Sequence, residues 1–212
     1  MTQNLRDRVW ALLLLAAIEK QGASPISKLR VHRLVFVANC LSPIFEVDQP
    51  YSNIIKYKWG PFYSDVQWDI DRLSVQNLVQ ISAIEHANDP ERGWWMNANY
   101  QITLKGIELV QEFIALDDIS DTFQFLEEVA AAFVEIDVNY QDDVLLRDAT
   151  YNRPGKALGS LIEFSDWDDN ATAQTAEYFR DFISEKMPLS SREQLHLYIK
   201  YLESLSRSAE AV

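Results

Sequence analysis

A chain of 212 residues that is 48% hydrophobic carries enough apolar material for one large domain or two small ones, which argues against a disordered chain. A net charge of −13 argues against the basic footprint of a general nucleic-acid binder. The single cysteine, Cys40, excludes an internal disulfide and any multi-thiolate metal site.

The first predicted helix covers 5–20, with apolar residues at Leu5, Val9, Leu12, Leu13, Ala16 and Ala17, close to a 3.6-residue period. Its apolar core, WALLLLAAI, is stopped by Glu19, Lys20 and Gln21, well short of the about 20 residues of a membrane span. No small-x-small cleavage site follows it, so a buried amphipathic helix and a cytoplasmic location without membrane contact are expected. Gly22 has the place of a helix-ending glycine. Ser24 and Pro25 then open a second helix, 26–40, whose exposed side is expected to gather Lys28, Arg30, His32 and Arg33. Cys40 lies in its apolar run LVFVANCL and reads as a small core residue.

A short strand is expected at Ile54–Tyr57, followed by a Gly60-Pro61 turn. Ser64 and Gln67 have the spacing of a capping box for a third helix, to about Gln76, that buries Val66, Ile70 and Leu73. Tyr63 and Trp68 occupy the positions of a hydrophobic staple, and Asp65, Asp69 and Asp71 are left for the outward face. A hairpin of Leu78–Glu85 and Trp94–Ile102 comes next. Thr103 then caps a fourth helix, 104–116. Three helices, a two-stranded wing and a closing helix make a winged helix-turn-helix arrangement. From 118 onward the pattern is helical, at about 119–136, 141–150, 156–164, 170–186 and 190–207. The expected fold is therefore mainly α with a small β wing: a winged helix-turn-helix-like domain at 1–116 and an acidic α-helical domain at 117–212.

Charge separates the same two stretches. Residues 1–116 hold 11 Lys+Arg and 12 Asp+Glu, whereas 117–212 hold 8 and 20, a net of −12. Such a field repels phosphates and attracts basic protein surfaces, or simply forms a solvated face.

The residues that carry familiar chemistry are scattered. His32, His86 and His196 have no helical Glu or His at metal spacing, and no phosphate-cradling glycine loop or G-x-S-x-G is present, so no cofactor or metal is expected. Adjacent acids such as Asp142-Asp143 point apart on a helix. Arg153 and Lys156 meet a tight turn in the acidic stretch and could receive a phosphate or a partner carboxylate, although a plain connecting loop fits as well. Trp94 and Trp95, neighbours on one strand, face opposite ways, so one of them is exposed or covered by another element.

Three segments resemble known proteins. Lys28-Leu29-Arg30-Val31-His32-Arg33-Leu34-Val35-Phe36-Val37 resembles the second helix of SocA/Panacea-type antitoxin domains, of YwgA-like winged proteins and of the middle components of ABC three-component antiphage systems. Trp59-Gly60-Pro61-Phe62 with Ser64, Asp69-Ile70-Asp71-Arg72-Leu73 and Leu78-Val79 is similar to their Y/W-G-P-F/Y-S-x-x-x-x-D-L-x-x-L…G-L-V pattern. Ile102-Thr103-Leu104-Lys105-Gly106 is similar to the L-T-x-x-G start of the helix after the wing. The likeness covers about 5–115, and Asn77 replaces the glycine that ends the third helix, a position where Asn tolerates the left-handed conformation. The resemblance implies a non-catalytic winged module of a bacterial conflict system, one that grips another protein.

Two readings of different class follow, with an enzyme of unrecognised type as a third. In the first, the chain is a hetero-oligomeric subunit that binds a basic toxin, nuclease or SMC-like ATPase. Its candidate contacts are Asp65, Trp68, Asp69, Asp71, Arg72, Trp94, Trp95, Arg153 and Lys156. In the second it is a DNA-binding regulator using Lys28, Arg30, Arg33 and Gln67, a reading opposed by three aspartates on the would-be recognition helix.

Overall fold

Ten consecutive residues of the first helix, Val9 to Ile18, are buried. A helix covered on all sides rather than along one stripe has to lie in the middle of a structure. This is α1 (Gln3–Lys20) of the computed structural model, which describes residues 3–89, 93–153, 155–184 and 188–210. Gly22 (φ 72°) ends it, with the Ala23 N–H returning to the Ile18 carbonyl at 3.1 Å. The second helix starts later than expected. Ile26–Ser27 forms a two-residue strand, β1, and Ser27 rather than Ser24 caps α2 (Lys28–Leu41) by accepting from the Arg30 N–H.

After a 3-10 turn at Ser42–Phe45 come β2 (Ile54–Tyr57), β3 (Gly60–Phe62) and α3 (Ser64–Val75). Tyr63, not Ser64, is the residue before the helix, and its side chain makes no capping bond. The staple fails for the same reason: Tyr63 is fully buried while Trp68 is 60% exposed. Asn77 has φ 59°, the left-handed conformation expected of it. The hairpin is β4 (Val79–Asp89) and β5 (Gly93–Ile102), with a bulge between Ser82 and Glu85 where Ala83 has φ 48°. Strand β1 adds to it antiparallel, giving the order β1-β5-β4. Thr103 caps α4 (Leu104–Phe113) at 3.1 Å from the Gly106 N–H.

Gly106 is the point where α4 lies on the hairpin. A Cβ there would stand 2.5 Å from the Leu78 carbonyl oxygen and 2.6 Å from Ile102. Gly106→Ala is therefore expected to push α4 off the hairpin and cost about 1–3 kcal/mol, read as a fall in the urea midpoint.

The chain continues through α5 (Asp117–Val134), α6 (Ala171–Ser184) and α7 (Ser191–Glu210). Two of the helices expected here are not formed. Residues 141–150 make turns and a 3-10 segment, Val144–Arg147. Within 156–164 lies a short strand, β6 (Leu161–Ile162), which pairs antiparallel with β2 and gives a second sheet, β3-β2-β6. The molecule is mainly helical with two small sheets. Helix α1 packs on α5 as well as on α3 and α4, and α2 packs on β3, α5 and α6. One hydrophobic core thus draws residues from both sides of position 116, among them Phe36, Ile54, Phe125, Phe164 and Leu202.

Candidate functional site

The base-rich side of α2 does not face solvent. Lys28, His32 and Arg33 are all buried, and Arg30 is largely covered. Arg30 donates two bonds to Asp142, at 2.7 and 3.0 Å, a bidentate pair that holds the Asp142 carboxyl below its ordinary pKa. Arg33 donates to the backbone carbonyls of Asp142 and of Trp59, the latter at 2.8 Å. Gly60, at φ 129°, lets the β2–β3 turn lie against that guanidinium, since a Cβ would come within 3.1 Å of Arg33 Nε. His32 accepts the Tyr63 N–H at 3.3 Å; burial, with Lys28 nearby, pushes its pKa down to about 3, so the ring stays neutral. Burial also lowers the Lys28 pKa, and its ammonium faces the Phe62 ring. The expected nucleic-acid patch is thus engaged within the chain: Lys28 and Arg33 are buried, and Arg30, nearer the surface, is paired with Asp142. Gln67, the fourth member, bonds Asp71 at 2.8 Å and the Tyr100 hydroxyl at 3.0 Å.

The outward face of α3 remains. Asp65, Trp68, Arg72 and Val75 recur at helical spacing and form one exposed stripe, with Trp68 60% and Val75 89% exposed. Asp69 does not belong to it, contrary to the expectation that it would face outward. It is buried, 3.2 Å from Arg8 Nε, and accepts the Tyr51 hydroxyl at 3.2 Å and Arg72 Nη1 at 3.4 Å. Tyr51 donates to the Asp7 carbonyl as well, at 2.7 Å, and its burial raises the phenol pKa well above the ordinary value. Asp69 therefore bolts α3 to α1 and to the loop before β2.

Beside the stripe lies a cleft of about 480 Å³ whose lining includes Asp7, Tyr51, Asp65, Trp68, Asp69 and Arg72. Four of the nine partner-contact candidates meet there. Asp65 is exposed and has no ion pair among the described residues. Arg72 stands with its guanidinium carbon 5.9 Å from the Trp68 ring centre. Asp7, Arg8 and Tyr51 are not marked in the sequence, because Arg8 lies 61 residues and Tyr51 18 residues from Asp69 and no spacing links them.

The other candidates lie elsewhere. Asp71 is exposed on the same face of α3, one turn from Trp68 and from Val75, but it is not in the cleft lining, and it accepts a bond from Gln67. Arg153 pairs with Asp169 at 2.7 Å and Lys156 with Glu163 at 3.9 Å, so each base of that loop meets a carboxylate of its own chain. Trp94 and Trp95 are in β5 opposite Asn88 and Ala87, and their side chains lie outside the described residues.

Much of the acidity of 117–212 is likewise paired internally: Glu127 with Lys20, Glu128 with Arg192 and His196, and Glu203 with Lys200 and Arg207. Among the described residues no three His, Cys, Asp or Glu side chains gather to hold a metal, and no helix is long and apolar enough to cross a membrane. Chemically, the cleft offers carboxylates, an indole face and a guanidinium, with no His or Cys in its lining. The sequence matches no model of a known protein family and no curated protein.

Proposed function

We propose that this chain is a non-catalytic subunit that binds another protein through the outward face of α3. The observation that carries the reading is the Asp65–Trp68–Arg72–Val75 stripe. A large aromatic and an aliphatic side chain are held out in water on a helix anchored by Asp69, and the aromatic one, Trp68, lines a cleft. Aromatic and arginine side chains dominate the energetics of protein interfaces.

The order of elements supports a winged helix-turn-helix reading of 1–116, in which α3 stands where a DNA-reading helix would. β1 pairs beside β5 in the sheet β1-β5-β4, and α4 closes the hairpin. The resemblance to antitoxin-type and antiphage middle-component domains rests on the 28–37, 59–79 and 102–106 motifs, and two of their glycines have physical reasons here. Gly60 admits Arg33, and Gly106 admits the hairpin. With these, the reading is a cytoplasmic component of a bacterial conflict system, assembled with a basic-surfaced toxin, nuclease or ATPase. The DNA-binding alternative has less support, because Arg30 and Arg33 are occupied by Asp142 and by backbone carbonyls. Phosphate binding depends on basic groups that are free.

The test is affinity capture of the tagged chain from its own host, alongside Trp68→Ala and Asp65→Lys. Both positions are exposed, so both variants are expected to fold. A stoichiometric protein partner is expected with the wild type, and its binding should weaken by about 30-fold or more in Trp68→Ala. Recovery of DNA alone, or equal capture by the variants, would overturn the reading.

A further inference from the structure

The cleft beside α3 has a charge pattern that specifies more than "protein". Its lining includes three acidic residues, Asp7, Asp65 and Asp69, and one basic residue, Arg72. Asp69 is matched from within by Arg8 and Tyr51. Asp65, exposed and without an ion pair among the described residues, is not matched. Next to it stands the Trp68 indole, whose surface stays 60% exposed even with Arg72 beside it. An aromatic face next to an unmatched carboxylate is a receptor for a cation. An incoming carboxylate or phosphate would instead meet Asp65, and Arg72 is already turned toward Asp69.

We infer that this cleft receives an arginine side chain of the partner protein, stacked on Trp68 and hydrogen-bonded to Asp65. This rests on the proposal that the α3 face is the partner surface, and it names the chemistry that the face recognises. Arginine is favoured over lysine because the guanidinium is flat, weakly hydrated and forked. It covers an indole face and a carboxylate at once, where an ammonium is a compact, strongly hydrated point charge. The cleft volume of about 480 Å³ is within the range of small-ligand sites.

The probe is N-acetyl-arginine amide, titrated into the full chain with 15N-labelled tryptophan. The Trp68 indole N–H is assigned by its absence in Trp68→Phe. A saturable shift of that resonance is expected, with a Kd of about 10 mM, as befits one side chain. Asp65→Asn should weaken it about fivefold. The lysine analogue should bind more weakly, and the glutamate analogue should leave the resonance unmoved.

No saturable shift with the arginine probe, an equal shift with the glutamate analogue, or an unchanged Kd in Asp65→Asn would each overturn the inference. A lysine analogue that binds as well as arginine would overturn the choice of arginine. The two proposals fail separately. If the probe does not bind but Trp68→Ala still abolishes partner capture, only the arginine assignment falls. If the probe binds but capture ignores Trp68, the partner surface is elsewhere.

Discussion

Truncating Phe36 to alanine is expected to cost about 3–5 kcal/mol and to destabilise both stretches of the chain together. Phe36 is fully buried on α2. Its ring meets Tyr151 edge-on at 6.0 Å and Phe164 edge-on at 5.9 Å, and both lie more than a hundred residues later. Helix α1 is covered partly by α5, and β2 is completed by β6, so the contacts across position 116 are core contacts. Unfolding of the whole chain should then follow one transition. For a protein of this size each kcal/mol moves the Tm by roughly 2–4 °C, so a drop on the order of 10 °C is expected. Urea titration followed by far-UV dichroism and by tryptophan fluorescence should give coincident curves for wild type and variant. Two separated transitions, with only one shifted, would show that the stretches fold independently.

The second large effect is expected at Asp148. It is fully buried and takes bonds from the Thr150 N–H at 2.8 Å, the Tyr151 N–H at 3.0 Å, the Tyr198 hydroxyl at 2.7 Å and the Thr172 hydroxyl at 2.8 Å. It thus ties the turn after the 3-10 segment to α6 and α7. Asp148→Ala strands several buried donors and should cost about 3–5 kcal/mol.

Asp148→Asn keeps the volume and isolates the charge. Burial raises the pKa of Asp148, against the opposing pull of its hydrogen bonds. The folded protein therefore holds this proton more tightly than the unfolded chain does. The resulting stabilisation is fully present below the unfolded value of about 3.9 and is lost as pH rises through the raised folded value. The stability advantage of wild type over Asp148→Asn should accordingly shrink as pH increases from about 4. Urea midpoints measured for both proteins across that range check the sign, and an advantage that grows with pH would contradict it.

How much of this was legible depends on how local the cause is. Thr103, Gly22 and Asn77 did what their residue types predict, because a cap or a left-handed turn is decided within about five residues. The hairpin showed itself by alternation, a period-two signal within one strand. The failures all have distant causes. Arg30 and Arg33 read as an exposed patch because Asp142, which absorbs them, lies 112 and 109 residues away. Residues 156–164 read as a helix because the two-residue strand Leu161–Ile162 exists only through its partner Ile54–Ile55. Asp69 read as an outward acid because its spacing on α3 places it at the edge of the buried face, and Arg8 decides which side it serves. The α3 stripe was half visible. Asp65, Trp68 and Arg72 stand out in the sequence, whereas the cleft beside them needs Asp7 and Tyr51 from other elements.

The internal ion pairs separate what a partner meets at long range from what it meets on contact. Pairing Asp142 with Arg30, or Glu128 with Arg192, leaves the net charge of −13 unchanged. At low ionic strength the whole molecule therefore still draws in cations from afar, without distinguishing among them. At physiological salt the Debye length is about 8 Å, and each matched pair becomes a closed dipole beyond that distance. What stays distinguishable to an approaching surface is a lone carboxylate such as Asp65. Raising the salt should thus slow capture of a partner while leaving its choice of docking face intact.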